Sequence, residues 1–188
     1  MILAWIRIKQ VQQERLKNTK DSKKEYFMEI EKKFRIKYLP ENLESYEKKV
    51  IEQGYLCTDP VVRIRKSNEE YILTYKSKFG IDKELDQLAK VCNEVEVPLN
   101  KSGYEHLKEK IDNQLVRKVR YIIPLENGLK AELDIFGDHL EGLTIVEVEF
   151  PGEEEIHNFV APDWFGEEVS QDKRFTNSYL STVEHWIE

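Results

Sequence analysis

Glu29, Glu31 and Lys33 stand two residues apart near the start of the sequence. Side chains two apart on an extended strand share a face, so this spacing sets two carboxylates and an ammonium in one row, with Ile30 and Phe34 opposite. The pattern recurs at Arg63 and Arg65, Lys76 and Lys78, Glu94 and Glu96, Lys118 and Arg120, Glu132 and Asp134, and Glu147 and Glu149. Apolar residues alternate with them, including Val62 and Ile64, Leu133 and Ile135, and Val146 and Val148. Paired carboxylates offer hard oxygen atoms to Mg²⁺ or Mn²⁺, and Glu29 with Glu31 could share such an ion. Arginine forks and lysine point charges grip phosphate, a role open to Lys33, Arg63, Arg65, Lys76, Lys118 and Arg120. One such row is an ordinary solvated face. Here, however, the rows are almost purely charged, and most carry one sign. Like charges repel, so each row needs an opposite row or bound ions facing it.

The elements that must position these rows are short alternating segments at 27–36, 61–66, 70–78, 91–98, 116–123, 129–136 and 143–150. Turn residues separate them at Ser67-Asn68, Glu126-Asn127-Gly128 and Gly137-Asp138, which predicts a mostly antiparallel sheet. Turning every charged row inward brings the opposite signs together, and a barrel of about eight strands is just wide enough inside for side chains or one small ligand. The fold expected is therefore α+β: a closed antiparallel β-barrel with a charged tunnel interior and helices packed outside. The helical stretches expected are Pro40–Gln53, Ser102–Ile111 and Arg174–Trp186. Residues 1–25 read as a helical extension, and 26–188 as the domain that carries the site.

The chain has 188 residues and a formal net charge of -7, with 35% charged and 40% hydrophobic residues. That suits one folded domain and argues against a general nucleic-acid surface. Its apolar opening, Met1 to Ile6, breaks at Arg7 and is too short to span a bilayer. Cys57 and Cys92 lack metal-ligand spacing and suit a reducing cytoplasm. His106, His139, His157 and His185 are scattered, and neither a glycine-rich phosphate loop nor a nucleophile–histidine motif is present.

Glu29-Ile30-Glu31-Lys32-Lys33 resembles the ExExK signature of the CYTH domain, the triphosphate tunnel metalloenzyme family. The later pairs Arg63-Ile64-Arg65, Lys76, Glu94-Val95-Glu96, Lys118-Val119-Arg120, Glu132-Leu133-Asp134 and Glu147-Val148-Glu149 follow in that family's order. Gln53-Gly54-Tyr55-Leu56, Trp164 to Val169 and Arg174-Phe175-Thr176-Asn177 are similar to the short bacterial inorganic tripolyphosphatases, and the resemblance runs from about Phe27 to Leu180. Ser77 and Asn93 depart from it, standing where a glycine and a basic residue are common. The resemblance implies a divalent-metal-dependent hydrolase of a small-molecule triphosphate, most readily inorganic tripolyphosphate. It adds Glu147 and Glu149 to the metal ligands, brings Tyr55 near the substrate, and gives catalytic work to Lys33, Glu132 and Asp134, the last two by orienting water. Class IV adenylyl cyclase, thiamine triphosphatase and a non-enzymatic polyphosphate-binding module are the alternatives.

Overall fold

The computed structural model describes residues 27–78 and 90–187. Nine strands form one sheet: β1 (Phe27–Ile36), β2 (Glu47–Thr58), β3 (Val61–Ser67), β4 (Glu70–Ser77), β5 (Lys90–Pro98), β6 (Val116–Pro124), β7 (Lys130–Phe136), β8 (Thr144–Glu149) and β9 (Phe165–Glu168). Their order is β5-β4-β3-β2-β6-β7-β8-β1-β9, with a further pairing of β5 to β1. Every ladder is antiparallel. Strand β1 meets β8 through Glu31–Arg35, while its first half meets β5 and its last residues meet β9. The sheet is therefore strongly curled, with a concave and a convex face. It is α+β, as expected, with few helices among the described residues: α1 (Lys101–Lys108), α2 (Glu153–Asn158) and α3 (Asn177–Leu180).

Alternation decides which residues go to which face. On the convex side Ile30, Phe34, Tyr121, Leu133, Val146 and Val148 join Ile156 of α2 and Phe165 of β9 in the main core. Phe34 and Phe165 have ring centroids 5.0 Å apart, and Phe150 meets Phe159 edge-on at 5.2 Å, separations at which aromatic pairs attract. Farther round, Ile64 and Tyr71 pack with Tyr104 of α1. The Tyr104 hydroxyl donates to Glu52 Oε1 at 3.0 Å, and Lys108 also reaches Glu52, so α1 is fixed by its apolar stripe and its polar rim together.

One end of the concave face is apolar. Val116, Phe136 and Ile145 continue the inward rows of Lys118, Asp134 and Glu147, yet they are buried with Phe175 and Leu180 of the C-terminal segment. That segment, capped at α3 by Thr176, plugs this end.

The expectation of a helix over Pro40–Gln53 is overturned. A single 3₁₀ turn occupies Leu43–Ser45, and β2 begins at Glu47. The helix-type Glu44–Lys48 pair does form, at 2.8 Å, but pairing of Glu47–Gln53 to β6 outweighs the local propensity. In the C-terminal stretch only Asn177–Leu180 is α-helical. The proposed extension, residues 1–25, lies outside the described residues. No described helix is long and apolar enough to cross a membrane.

Candidate active site

Read around the sheet, the concave face is electrically divided. Lys76 on β4, Arg63 and Arg65 on β3, and Lys118 and Arg120 on β6 occupy one run of strands, with Gln53 and Tyr55 of β2 between them. Glu147 and Glu149 on β8, Glu31 on β1, and Glu94 and Glu96 on β5 supply the acidic side. All of these residues, with Lys33, line a cavity of about 460 Å³, within the range of small-molecule sites.

Lys33, on β1, lies among the acidic strands and shares Glu147 with Arg120. It is 3% exposed and forms ion pairs with Glu147 and, at 3.5 Å, with Glu31. Burial pushes the Glu147 carboxyl up, but Lys33, Arg120 and Lys118 together hold it well below the usual range. Glu31 and Glu149 face each other directly across the β1–β8 ladder. Glu29 is the next residue along that row, in register with Cys92; its side chain lies outside the described residues.

Glu132 and Asp134 stand behind the cavity wall. Asp134 is fully buried and accepts from Arg120 Nε and Nη2 at 2.6 Å each, and from Lys118. Arg120 also reaches Glu132, and Glu147 at 2.7 Å. Burial favours neutral Arg120, but Asp134, Glu147 and Glu132 outweigh it and hold the guanidinium charged. Burial raises Glu132 despite Arg120. These two carboxylates thus aim the cations that face the cavity.

The β3 arginines are held differently. Arg63 donates to Thr74 Oγ1 at 3.0 Å, and Arg65 to Glu96 at 2.9 Å. Thr74 in turn donates to Glu96 at 3.2 Å. The tip of each fork is anchored, while Arg63 Nε and Arg65 Nε are buried without a hydrogen-bond partner. A buried donor left unsatisfied costs about 1–3 kcal/mol, more when charged, so both nitrogens await an acceptor. Tyr55, 3% exposed, accepts from Gln53 Nε2 at 3.0 Å and is kept protonated by burial.

Sequence reasoning missed Gln53, Thr74 and the Thr176-Asn177-Ser178 segment, which also meet this site. The first two share the inward phase of Tyr55 and Lys76, a signal masked by their lack of charge. Ser77 and Asn93, the two departures from the family pattern, are register partners on β4 and β5.

A concave sheet with cations along one side, carboxylates along the other and unsatisfied arginine donors between is a site for a compact polyanion. No family model matches the sequence. Curated relatives do: an inorganic triphosphatase of Nitrosomonas europaea is 36% identical over 81% of this chain and 96% of the relative. One of Acetivibrio thermocellus is 36% identical over 81% and 92%. A crystal structure of an inorganic triphosphatase superposes with a TM-score of 0.60 at 35% identity, covering 82% of this chain and 95% of that one. The chain belongs to the inorganic triphosphatase family.

Proposed function

We propose that this protein hydrolyses inorganic tripolyphosphate, with a divalent cation, inside the cavity of its curled sheet. The observation that carries this reading is the pair of buried, unpartnered Nε–H groups of Arg63 and Arg65, placed on the cationic side of a cavity whose other side is acidic. A linear triphosphate is all acceptor oxygens, and it needs several cations around it. The relatives' names support the reaction. The β1–β5 and β1–β8 ladders support a sheet that encloses its substrate as a tunnel.

Arg63, Arg65, Lys76, Lys118 and Arg120 hold the phosphates in this reading. Lys33 reaches the transferring phosphoryl group from the acidic side, and Tyr55 offers its hydroxyl proton to a bridging or terminal oxygen. Glu132 and Asp134 work through Arg120 and Lys118, fixing their direction and charge, and the field of these carboxylates orients the attacking water. Among the described residues no three His, Cys, Asp or Glu side chains are assembled as a metal centre. The donor set that is described, Glu31 opposite Glu149, fits Mg²⁺ or Mn²⁺, because these ions are commonly held by one or two carboxylates plus substrate phosphates, and Glu29, two residues before Glu31 on β1, is the third ligand of this reading. Glu147 contributes less, being drawn to Lys33 and Arg120. When bound, the ion would neutralise charge that develops on the phosphate oxygens.

Relatives that align with about four-fifths of the chain support 26–188 as the catalytic domain and 1–25 as an extension. Cys57 and Cys92 are not joined in a disulfide, which supports a reducing compartment such as the cytoplasm. The test is phosphate release from tripolyphosphate, ATP and thiamine triphosphate, each with Mg²⁺ or Mn²⁺. Tripolyphosphate should be hydrolysed fastest. Cyclic AMP from ATP would identify a cyclase, faster thiamine triphosphate turnover a thiamine triphosphatase, and tight binding of tripolyphosphate without turnover a binding module.

A further inference from the structure

Among the described residues, three buried side-chain atoms have no hydrogen-bond partner: Arg63 Nε, Arg65 Nε and Asn177 Oδ1. All three residues line the same cavity. The two arginine nitrogens are donors, and a triphosphate satisfies them. Asn177 Oδ1 is an acceptor. A phosphate oxygen cannot satisfy it, since two acceptors facing each other repel and leave both unpaired.

The flanking residues have no such need. Thr176 Oγ1 accepts from Tyr179 N at 3.3 Å and from Ser178 Oγ at 3.3 Å, so the two hydroxyls satisfy each other within the segment. Phe175 and Leu180, two residues before and three after Asn177, are anchored in the apolar plug. They fix the main chain from which the amide projects. The occupied cavity must therefore bring a hydrogen-bond donor to Asn177 as well as acceptors to the arginines.

We propose that Asn177 Oδ1 holds the water that attacks the terminal phosphorus, making Asn177 a positioning residue contributed by the plug. This rests on the hydrolytic reading above. In the step, the water oxygen forms a bond to the terminal phosphorus and the P–O bond to the bridging oxygen breaks. The products are orthophosphate and pyrophosphate; one water proton stays on the new orthophosphate and the other goes to solvent. A water donating to Oδ1 has one hydrogen engaged and its lone pairs free to face the phosphorus, which is the orientation attack requires.

Steady-state hydrolysis of tripolyphosphate with Mg²⁺ by Asn177→Ala and Asn177→Asp, alongside thermal midpoints, tests the assignment. Asn177→Ala should lower kcat roughly tenfold, the size of one hydrogen bond expressed in the transition state, with KM within about threefold. Asn177→Asp keeps an acceptor at that place, so it should hold kcat near the wild-type value while its added negative charge raises KM. Wild-type kcat in the alanine variant would overturn the proposal. Loss of kcat in the aspartate variant would also overturn it, because the working atom would then be the amide NH₂. Should the alanine variant melt too low to assay, the aspartate variant alone decides. Absence of tripolyphosphate hydrolysis in the wild type would defeat the functional reading itself, whereas a normal alanine variant in an active enzyme defeats only the role of Asn177.

Discussion

Glu31 and Glu149 are direct partners across the β1–β8 ladder, two carboxylates set opposite each other on the concave face. Like charges directly opposite destabilise a sheet, and Lys33, 3.5 Å from Glu31, offsets part of that repulsion.

That relationship makes the pair separable by experiment. Glu31→Gln loses its 3.5 Å ion pair with the buried Lys33 and should lower the metal-free thermal midpoint slightly, and Glu149→Gln is the companion variant. Each should also weaken Mn²⁺ binding by roughly tenfold or more and lower turnover by about 100-fold. Calorimetric titration of Mn²⁺ into the substrate-free protein checks the binding; unchanged affinity in Glu31→Gln would take the ion away from this pair.

Arg65 tests the phosphate side. Its fork is anchored on Glu96, and a charge-assisted hydrogen bond contributes roughly 1.5–3 kcal/mol, so Arg65→Ala should lower kcat/KM about 10- to 150-fold. Arg65→Lys should recover little, since a point charge cannot span both Glu96 and a phosphate. An effect under threefold for alanine would remove Arg65 from the substrate.

Lys118 sets a pH limit. Burial pushes its ammonium down to about 8, with Asp134 opposing the shift and Arg120 reinforcing it. Above that pH the free enzyme loses one cation from the basic side of its cavity, so kcat/KM for tripolyphosphate should fall along an alkaline limb near pH 8. Lys118→Arg should move the limb upward. For stability the sign is opposite: the folded state holds fewer protons than the unfolded state between about pH 8 and 10.5. The cost of burying the charge is present in full below that window and is relieved as pH rises through it. Urea midpoints at both ends of the window, for wild type and Lys118→Met, measure this.

Asp134 anchors the buried ion network. Asp134→Ala leaves Lys118 and part of Arg120 uncompensated and should destabilise the fold by about 3–5 kcal/mol. Lys118→Met combined with Asp134→Leu should cost clearly less than the sum of the two single changes, because neither charge is then left alone. Denaturant unfolding of the four proteins in the cycle gives the coupling directly; strict additivity would refute it.

The period-two rows were legible because Arg63 and Arg65, Lys118 and Arg120, and Glu147 and Glu149 each bracket a hydrophobic residue, and only a strand sorts such a triplet onto two faces. β2 was hidden by Glu44, Glu47, Lys48 and Lys49, whose i,i+4 charges suit a helix as well as a strand; the decision came from β6, distant in sequence. Val116, Phe136 and Ile145 share the phase of the charged residues, so alternation alone could not tell that one end of the concave face is apolar. Asn177 belongs to the Arg174-Phe175-Thr176-Asn177 motif, yet nothing in the sequence marks it as a cavity residue. It reaches the site from the start of α3, after the last strand, and no strand periodicity marks a residue delivered that way. Which strands flank Lys33 depends on β1 lying between β8 and β5, and strand order, unlike strand face, is not written in any local pattern.

The C-terminal plug also has a consequence for traffic. With Phe175 and Leu180 packed against Val116, Phe136 and Ile145, the described residues obstruct that end of the concave face, so a substrate has to approach from elsewhere. A polyanion much longer than the cavity finds no path past these side chains at that end.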